Sequence, residues 1–185
     1  MRRVRQLALV LAIATGPALA QALVPEPDGY RNEDYRSPTP ATLRGARTLT
    51  TAQAHAIWKA ADAVFLDVLP NPPRPPNLPA GTIWRARERL DIPGSIWLPD
   101  TGYGELAPAA EQYFRSGLER ATGGNKDKLL VVYCQKDCWM SWNAAKRALA
   151  LGYRKVAWYP DGTEGWQEAE LPTSHAVPAP GRPGR

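Results

Sequence analysis

Cysteine is scarce in this 185-residue chain, which contains two. That excludes a disulfide-stapled scaffold, where several bridges hold a much shorter chain. Histidine is equally scarce, at positions 55 and 175. Zinc takes three or four protein ligands, and nothing in the sequence brings His55 or His175 to a cysteine, so no metal site is expected. The spacing is not the C-x-x-C-H of covalent haem attachment either. No apolar run approaches the ~20 residues needed to cross a bilayer as a helix. No Lys/Arg cluster lies outside the first few residues, which argues against a nucleic-acid partner. No motif recognises a quinone, and no cofactor is expected.

What is present begins with MRRVRQLALVLAIATGPALAQ. Arg2, Arg3 and Arg5 precede the short apolar run Leu7 to Ala14, and Ala18-Leu-Ala20 has the small-residue pattern of a cleavage site. Residues 1–20 are therefore predicted to be a signal peptide, removed before Gln21. The mature protein is then expected to be periplasmic or secreted, with no membrane contact once the signal is gone. The formal charge of +5 falls to +2 when those three arginines are subtracted, leaving 20 basic against 18 acidic residues. The basic character of the chain thus belongs partly to the signal.

Residues 21–47, rich in Pro, Tyr and Arg, have neither helical nor strand periodicity. They read either as an extended arm pinned by Tyr30 and Tyr35 or as a disordered linker. A domain follows over residues 48–172. Thr50 or Thr51 caps a helix with Ala54, Ile57 and Trp58 on one face. The run Ala63-Val-Phe-Leu-Asp-Val68 fits a buried parallel strand. PNPPRPPNLP, residues 70–79, holds six prolines in ten residues, which neither helix nor central strand tolerates. Ile92-Pro-Gly-Ser-Ile-Trp-Leu98 reads as a turn feeding a strand. Residues 108–122 read as a helix, with Pro108 in its first turn and Gly123-Gly124 at its end. Leu129 to Tyr133 is the most apolar strand. A helix is predicted from about Trp139 to Leu151, a last strand over Lys155 to Tyr159 and a turn at Pro160-Asp-Gly162. The Pro/Gly-rich residues 173–185 are expected to form a mobile tail. Alternating strands and helices make the fold class α/β, with a mainly parallel sheet. In such sheets ligands bind beyond the carboxyl ends of the strands.

Both cysteines fall in VYCQKDCWMSW, residues 132–142. Cys134 follows a strand and precedes a helix. Free N–H groups and the dipole at a helix entrance stabilise an anion, and a cysteine so placed has a lowered pKa and a reactive thiolate. The competing reading is a buried structural cysteine, a common fate of free thiols. Cys138, four residues on, can resolve a persulfide, sulfenate or mixed disulfide on Cys134. In a regular helix, residues four apart have Cβ atoms about 5–6 Å apart, whereas a disulfide needs about 3.5–4.5 Å. A 134–138 bond therefore requires a non-helical loop or a strained bond.

The landmarks AVFLDV, IPGSIWLP, LLVVYC and AAKRALALGYRKVAWYPDGTEGW resemble those of a rhodanese-like domain over roughly residues 48–172. The resemblance implies a rhodanese-like α/β fold with a central parallel sheet flanked by helices, a nucleophilic Cys134 opening the active loop, and sulfur transfer through a persulfide. Gln135, Lys136, Asp137, Trp139, Met140 and Ser141 would then form the binding loop and first turn, facing a small sulfur donor or thiol acceptor. The C-x3-C-W run is similar to exported rhodanese-like proteins named for a CXXCW motif, with one residue more between the sulfurs. Those are associated with PQQ-dependent alcohol catabolism, which implies a periplasmic protein partner in a PQQ-dependent dehydrogenase system. The loop departs from the family by lacking the usual glycine and arginine. Phosphatases on this fold need that arginine to grip phosphate, so phosphatase activity is not expected. The remaining alternative is a non-catalytic binding or redox-sensing module.

Four further features have two readings each. Trp142 reads as core. Trp139 reads either as core or as a wall of the site. Asp67, at a strand end, either orients the active loop or caps the next turn. The proline loop is either a rim over Cys134 or a surface insertion.

Overall fold

A computed structural model describes residues 24–85 and 88–183; the predicted signal peptide lies outside them. Five parallel strands make the central sheet: β1 (Arg47–Thr48), β2 (Ala63–Asp67), β4 (Ile96–Trp97), β5 (Leu129–Tyr133) and β6 (Val156–Tyr159), in the order β1-β6-β5-β2-β4. β3 (Arg89–Asp91) and β7 (Ser174–Ala176) pair antiparallel beside it. Among the described residues four helices flank the sheet: α1 (Thr51–Ala60), α2 (Pro108–Thr122), α3 (Trp139–Ala150) and α4 (Gly162–Glu168). The fold is the α/β arrangement expected from the sequence. Among the described residues no helix is long and apolar enough to cross a membrane.

Local chemistry sets the helix ends. Thr50 and Gln53 form a reciprocal capping box at the start of α1. Pro108 opens α2 and Gly123, left-handed at φ 61°, closes it. The central strands β2, β5 and β6 are nearly continuous apolar runs because helices cover both of their faces.

Side-chain alternation along a strand divides the core in two. Leu130, Val132, Leu66 and Trp158 face α2 and α3, where Phe114, Leu118, Trp142 and Ala145 lie. Val131, Tyr133, Phe65 and Tyr159 face α1 and α4, against Ala54 and Trp166. β5 lies between β6 and β2, so the loop leaving its carboxyl end sits at the centre of the sheet edge.

One expectation is corrected and one is extended. Residues 174–183 of the predicted mobile tail are docked: β7 pairs with β3, Ala179 N–H donates to Trp97 O at 2.8 Å, and Arg182 pairs with Asp100 at 2.7 Å. Local composition reads as mobile there because the tail's partners are distant in sequence. The predicted turn at Pro160–Gly162 continues into α4, whose Trp166 is buried and donates its indole N–H to Pro172 O at 2.7 Å.

Residues 24–46 contain no helix or ladder strand, yet they lie on the domain. Lys146 donates to the carbonyls of Pro27, Asp28 and Gly29, and Asn143 clamps the backbone of Arg31 from both sides. Trp142 donates to Thr42 O. Tyr30 lies 4.6 Å from the Arg147 guanidinium, and Tyr35 packs edge-on against Tyr103. Helix α3 thus turns one face to the core and directs Asn143 and Lys146 to the arm.

Gly162 is left-handed at φ 53°, and a Cβ there would stand 2.6 Å from Cys134 O and 2.7 Å from Gln135 Cα. Gly162→Ala combines backbone strain with overpacking against the cysteine loop. It is expected to lower unfolding stability by about 2–4 kcal/mol, measured by urea denaturation; a loss below ~0.5 kcal/mol contradicts the close packing.

Candidate functional site

β5 ends at Tyr133, and α3 begins only at Trp139. Between them Gln135 bridges to Gly162, Lys136 and Asp137 form an exposed turn, and Cys138 bridges to Arg36 of the arm. Asp137 takes φ 52°, which reverses the chain and brings Cys138 back toward Cys134. The two cysteines are joined as a disulfide, with Cα atoms 6.4 Å apart. Of the two geometries open to the pair, the structure has the non-helical loop, and that Cα separation lies within the ordinary disulfide range.

Strand parity directs the sulfur. Residues 130 and 132 point toward α3, and Cys134 continues that series into the same cluster. Cys134 is 0% exposed and Cys138 2%. In this oxidised state both cysteines are thus buried, as the structural-cysteine reading has them. The first amide of α3, Trp139 N–H, donates to Tyr35 O at 3.0 Å, so part of the entrance is already occupied by the arm.

The cysteine loop is held firmly through one atom. Cys134 O accepts from Thr163 N–H at 3.1 Å, Thr163 Oγ1 at 3.2 Å and Arg89 Nη2 at 3.4 Å. Arg89 also donates through Nε to Asp67 Oδ2 at 2.8 Å and lies 3.9 Å from Asp91 Oδ1. Tyr133 donates its hydroxyl to Asp91 Oδ1 at 2.6 Å, and Asp91 Oδ2 has no hydrogen-bond partner among the described residues. Asp67 accepts Leu69 N–H at 2.9 Å, so it caps the turn and, through Arg89, also braces the loop. Both readings of Asp67 hold in part.

Asp67 and Asp91 are buried carboxyls around one guanidinium. Desolvation, and then the neighbouring charge of Asp91, push Asp67 up to about 7. Desolvation also raises Asp91, opposed by Arg89 and by the Tyr133 hydroxyl. Burial holds the Tyr133 phenol well above its ordinary value, so it stays protonated and donates.

The other predicted residues separate. Gln135 faces a cleft of about 800 Å³ beyond the strand ends, walled by the proline loop, Trp84, Trp97 and Thr163. The proline loop is a wall of that cleft, but the cysteine sulfurs lie beneath it in the α3 layer. Lys136 and Asp137 are exposed. Trp139 is buried, and its indole N–H is 3.1 Å from both Ser37 Oγ and Pro38 O; it anchors the arm. Met140 packs beneath Gly102, where a Cβ would lie 2.5 Å from its own. Ser141 donates to Cys138 O at 2.9 Å and receives the Trp158 indole N–H at 3.0 Å. Arg89, Asp91, Thr163 and the arm residue Arg36 were missed by sequence reasoning, which named Tyr35 only as a pin for the arm. The signal for the first two was the R-x-D spacing before Ile92-Pro-Gly, which puts two charges on one strand face.

Residues 50–169 match the family described as Rhodanese-like domain. Among solved structures, the thiosulfate sulfurtransferase from Pseudomonas aeruginosa is 19% identical, with a TM-score of 0.50, over 73% of this chain and 21% of that one. This chain therefore spans about a fifth of that enzyme's length. The polysulfide-sulfur transferase homodimer from Wolinella succinogenes is 18% identical over 70% of this chain and 79% of that chain, at a TM-score of 0.46. An uncharacterized protein from Saccharomyces cerevisiae is 21% identical over 67% and 92%, at 0.39. No curated protein matches.

The buried carboxyl gives a signed prediction. Asp67 is raised in the fold to about 7, so the folded state holds a proton that the unfolded chain releases above about pH 4. The fold bears no ionisation cost below that pH, and it loses stability as pH rises toward 7. Unfolding stability should fall by about 2–3 kcal/mol more between pH 5 and 8 in the unaltered protein than in Asp67→Asn. Urea denaturation at the two pH values measures this; an equal change in both proteins contradicts a proton held at Asp67.

Proposed function

The chain belongs to the rhodanese-like domain family, and on that premise we propose that it is an exported thiol–disulfide and sulfur-transfer protein whose Cys134–Cys138 pair is the working group. The observation that carries this reading is the bond between the two cysteines inside the loop that follows β5, the loop to which the resemblance assigns the nucleophile. A family-level role in sulfur or thiol chemistry fits that placement.

In the reduced protein the Cys134 thiolate attacks the sulfane sulfur of a donor. A persulfide forms on Cys134, and the rest of the donor leaves; from thiosulfate that is sulfite. Cys138 then attacks the Cys134 sulfur of that persulfide. The products are the 134–138 disulfide and hydrosulfide, so atoms and charge balance. A thiol reductant restores both cysteines and is itself oxidised to a disulfide. Cys138 thereby limits the life of the persulfide and couples sulfur release to a redox change. The loop lacks the family's arginine, and its chemistry depends on Lys136, on Arg36 from the arm and on backbone N–H groups for any anionic donor.

The residue pattern at 134–139 and the predicted signal peptide support a periplasmic setting, with a protein partner in a PQQ-dependent dehydrogenase system. A second reading is favoured by burial: with the sulfurs 0% and 2% exposed, the domain would act as a binding or redox-sensing module and the disulfide as its stable state.

Mass spectrometry separates the two readings. The reduced chain is mixed with thiosulfate or polysulfide and quenched by alkylation. The proposal expects a one-sulfur gain on Cys134 that is retained in Cys138→Ser, where no resolving thiol removes it, and abolished in Cys134→Ser. Absence of the adduct with every donor, even in Cys138→Ser, removes sulfur transfer and leaves the module.

A further inference from the structure

The arm does more than decorate the domain. Resting on the reading of Cys134–Cys138 as a working thiol pair, we propose that residues 34–38 are a strap that governs access to the two sulfurs.

Three sets of contacts carry this. First, the strap lies directly on the loop. Arg36 pairs in a bridge with Cys138, and Tyr35 O takes the first amide of α3. Tyr35 packs against the cluster that contains both sulfurs. Arg36 Nη1 donates to Lys136 O at 2.7 Å and, with the Gln135 amide turned so that its oxygen faces the guanidinium, to that oxygen at 2.6 Å, while Nη2 stands 3.7 Å from Glu164. One arginine thus fastens the strap to three points around the loop.

Second, the strap is held at both ends by buried groups. On one side Arg31 N–H donates to Asn143 Oδ1 at 2.9 Å, and Asn143 Nδ2 donates to Arg31 O at 2.8 Å. On the other, Trp142 donates its indole N–H to Thr42 O at 3.1 Å. Asn143 and Trp142 are both 0% exposed. Third, Arg36 is the weak fastening. Its side chain is 52% exposed and its partner Glu164 43%, where ion pairs contribute little. The strap therefore opens around Arg36, while Trp139 holds Ser37 and Pro38 and both ends stay attached.

The consequence is chemical. A thiolate reductant must approach a sulfur along the S–S axis, and Cys138, 2% exposed, lies against its bridge to Arg36 of the closed strap. With the strap lifted, the reductant attacks Cys138, forming a mixed disulfide there and expelling the Cys134 thiolate. A second reductant thiolate attacks the mixed disulfide, leaving as an oxidised disulfide and freeing Cys138 as thiolate. Cys134 is then exposed only in molecules whose strap is open, which limits its reaction with unintended thiols.

The test compares two rates in the oxidised full chain, in Arg36→Ala and in Asn143→Ala. One is reduction by dithiothreitol, followed by alkylation and mass; the other is hydrogen exchange of the Trp139 amide, which is bonded to the strap. The proposal expects both rates to rise by a common factor, roughly threefold to tenfold for Arg36→Ala, with Arg36→Lys giving a smaller rise in each. Faster exchange with unchanged reduction would mean that the sulfurs are reached by another route, and overturns the strap. Unchanged exchange in both variants overturns it as well. Should either variant unfold, the same two rates are compared in the unaltered chain across urea concentrations below its transition; rates that fail to rise together overturn the proposal. The rate ratio is readable with dithiothreitol even if no sulfur adduct ever forms, so failure of the proposed function and failure of the strap are told apart.

Discussion

Alternation of side chains along β5 decides most of what this protein can do. Because Leu130 and Val132 face α3, Cys134 faces α3 too, and its sulfur enters the core instead of the cleft beyond the sheet. Tyr133, one residue earlier, must face the other way and meets Asp91. The same strand end therefore sends a sulfur to one face and a phenol to the other. The main chain just after them supplies a carbonyl, Cys134 O, at the seam. Arg89 and Thr163 fix that carbonyl, and everything in the loop after it is positioned from this point.

The seam is electrostatically unusual. One guanidinium serves two buried carboxyls and a loop carbonyl, in surroundings where an unpaired charge is expensive. Holding a proton on the carboxyl pair lets the group approach neutrality. Arg89 comes from β3, whose partner β7 lies in the C-terminal segment, so the tail contributes to the stability of the cysteine loop from a distance. The arm contributes from the opposite side through α3, whose Asn143, Lys146 and Arg147 are devoted to main-chain carbonyls and amides of irregular segments. Irregular backbone on a protein surface needs such partners, and here they also bring the arm over the disulfide.

Local patterns in the sequence made the frame legible. Pro108 and Gly123-Gly124 bounded α2, an apolar run placed β5 and the capping threonine placed α1, because each of these depends on neighbours within a turn or two. The loop was legible as chemistry, since two sulfurs between a strand and a helix have few uses. What could not be read depends on pairings between segments distant in the chain, from about thirty residues apart at Cys134 and Thr163 to more than a hundred at Arg31 and Asn143. The polar residues of α3 look like a solvated face until the arm is placed on them. Pro172 to Arg185 looks mobile because nothing nearby in the chain pairs with Ser174–Ala176. The short helix at Gly162–Glu168 lacks a strong local signal, and its glycine is needed for approach to Cys134, a contact no window of sequence contains. Burial of the sulfurs follows from strand parity, which position at a helix entrance does not reveal.

The account's central claim is that the 134–138 bond is a reversible working group. Equilibration of the protein in buffers of defined thiol–disulfide ratio, with the two cysteines read by alkylation and mass, measures its reduction potential. The account predicts a midpoint among thiol oxidoreductases, roughly −120 to −270 mV. A midpoint below about −300 mV, where structural disulfides lie, would contradict it.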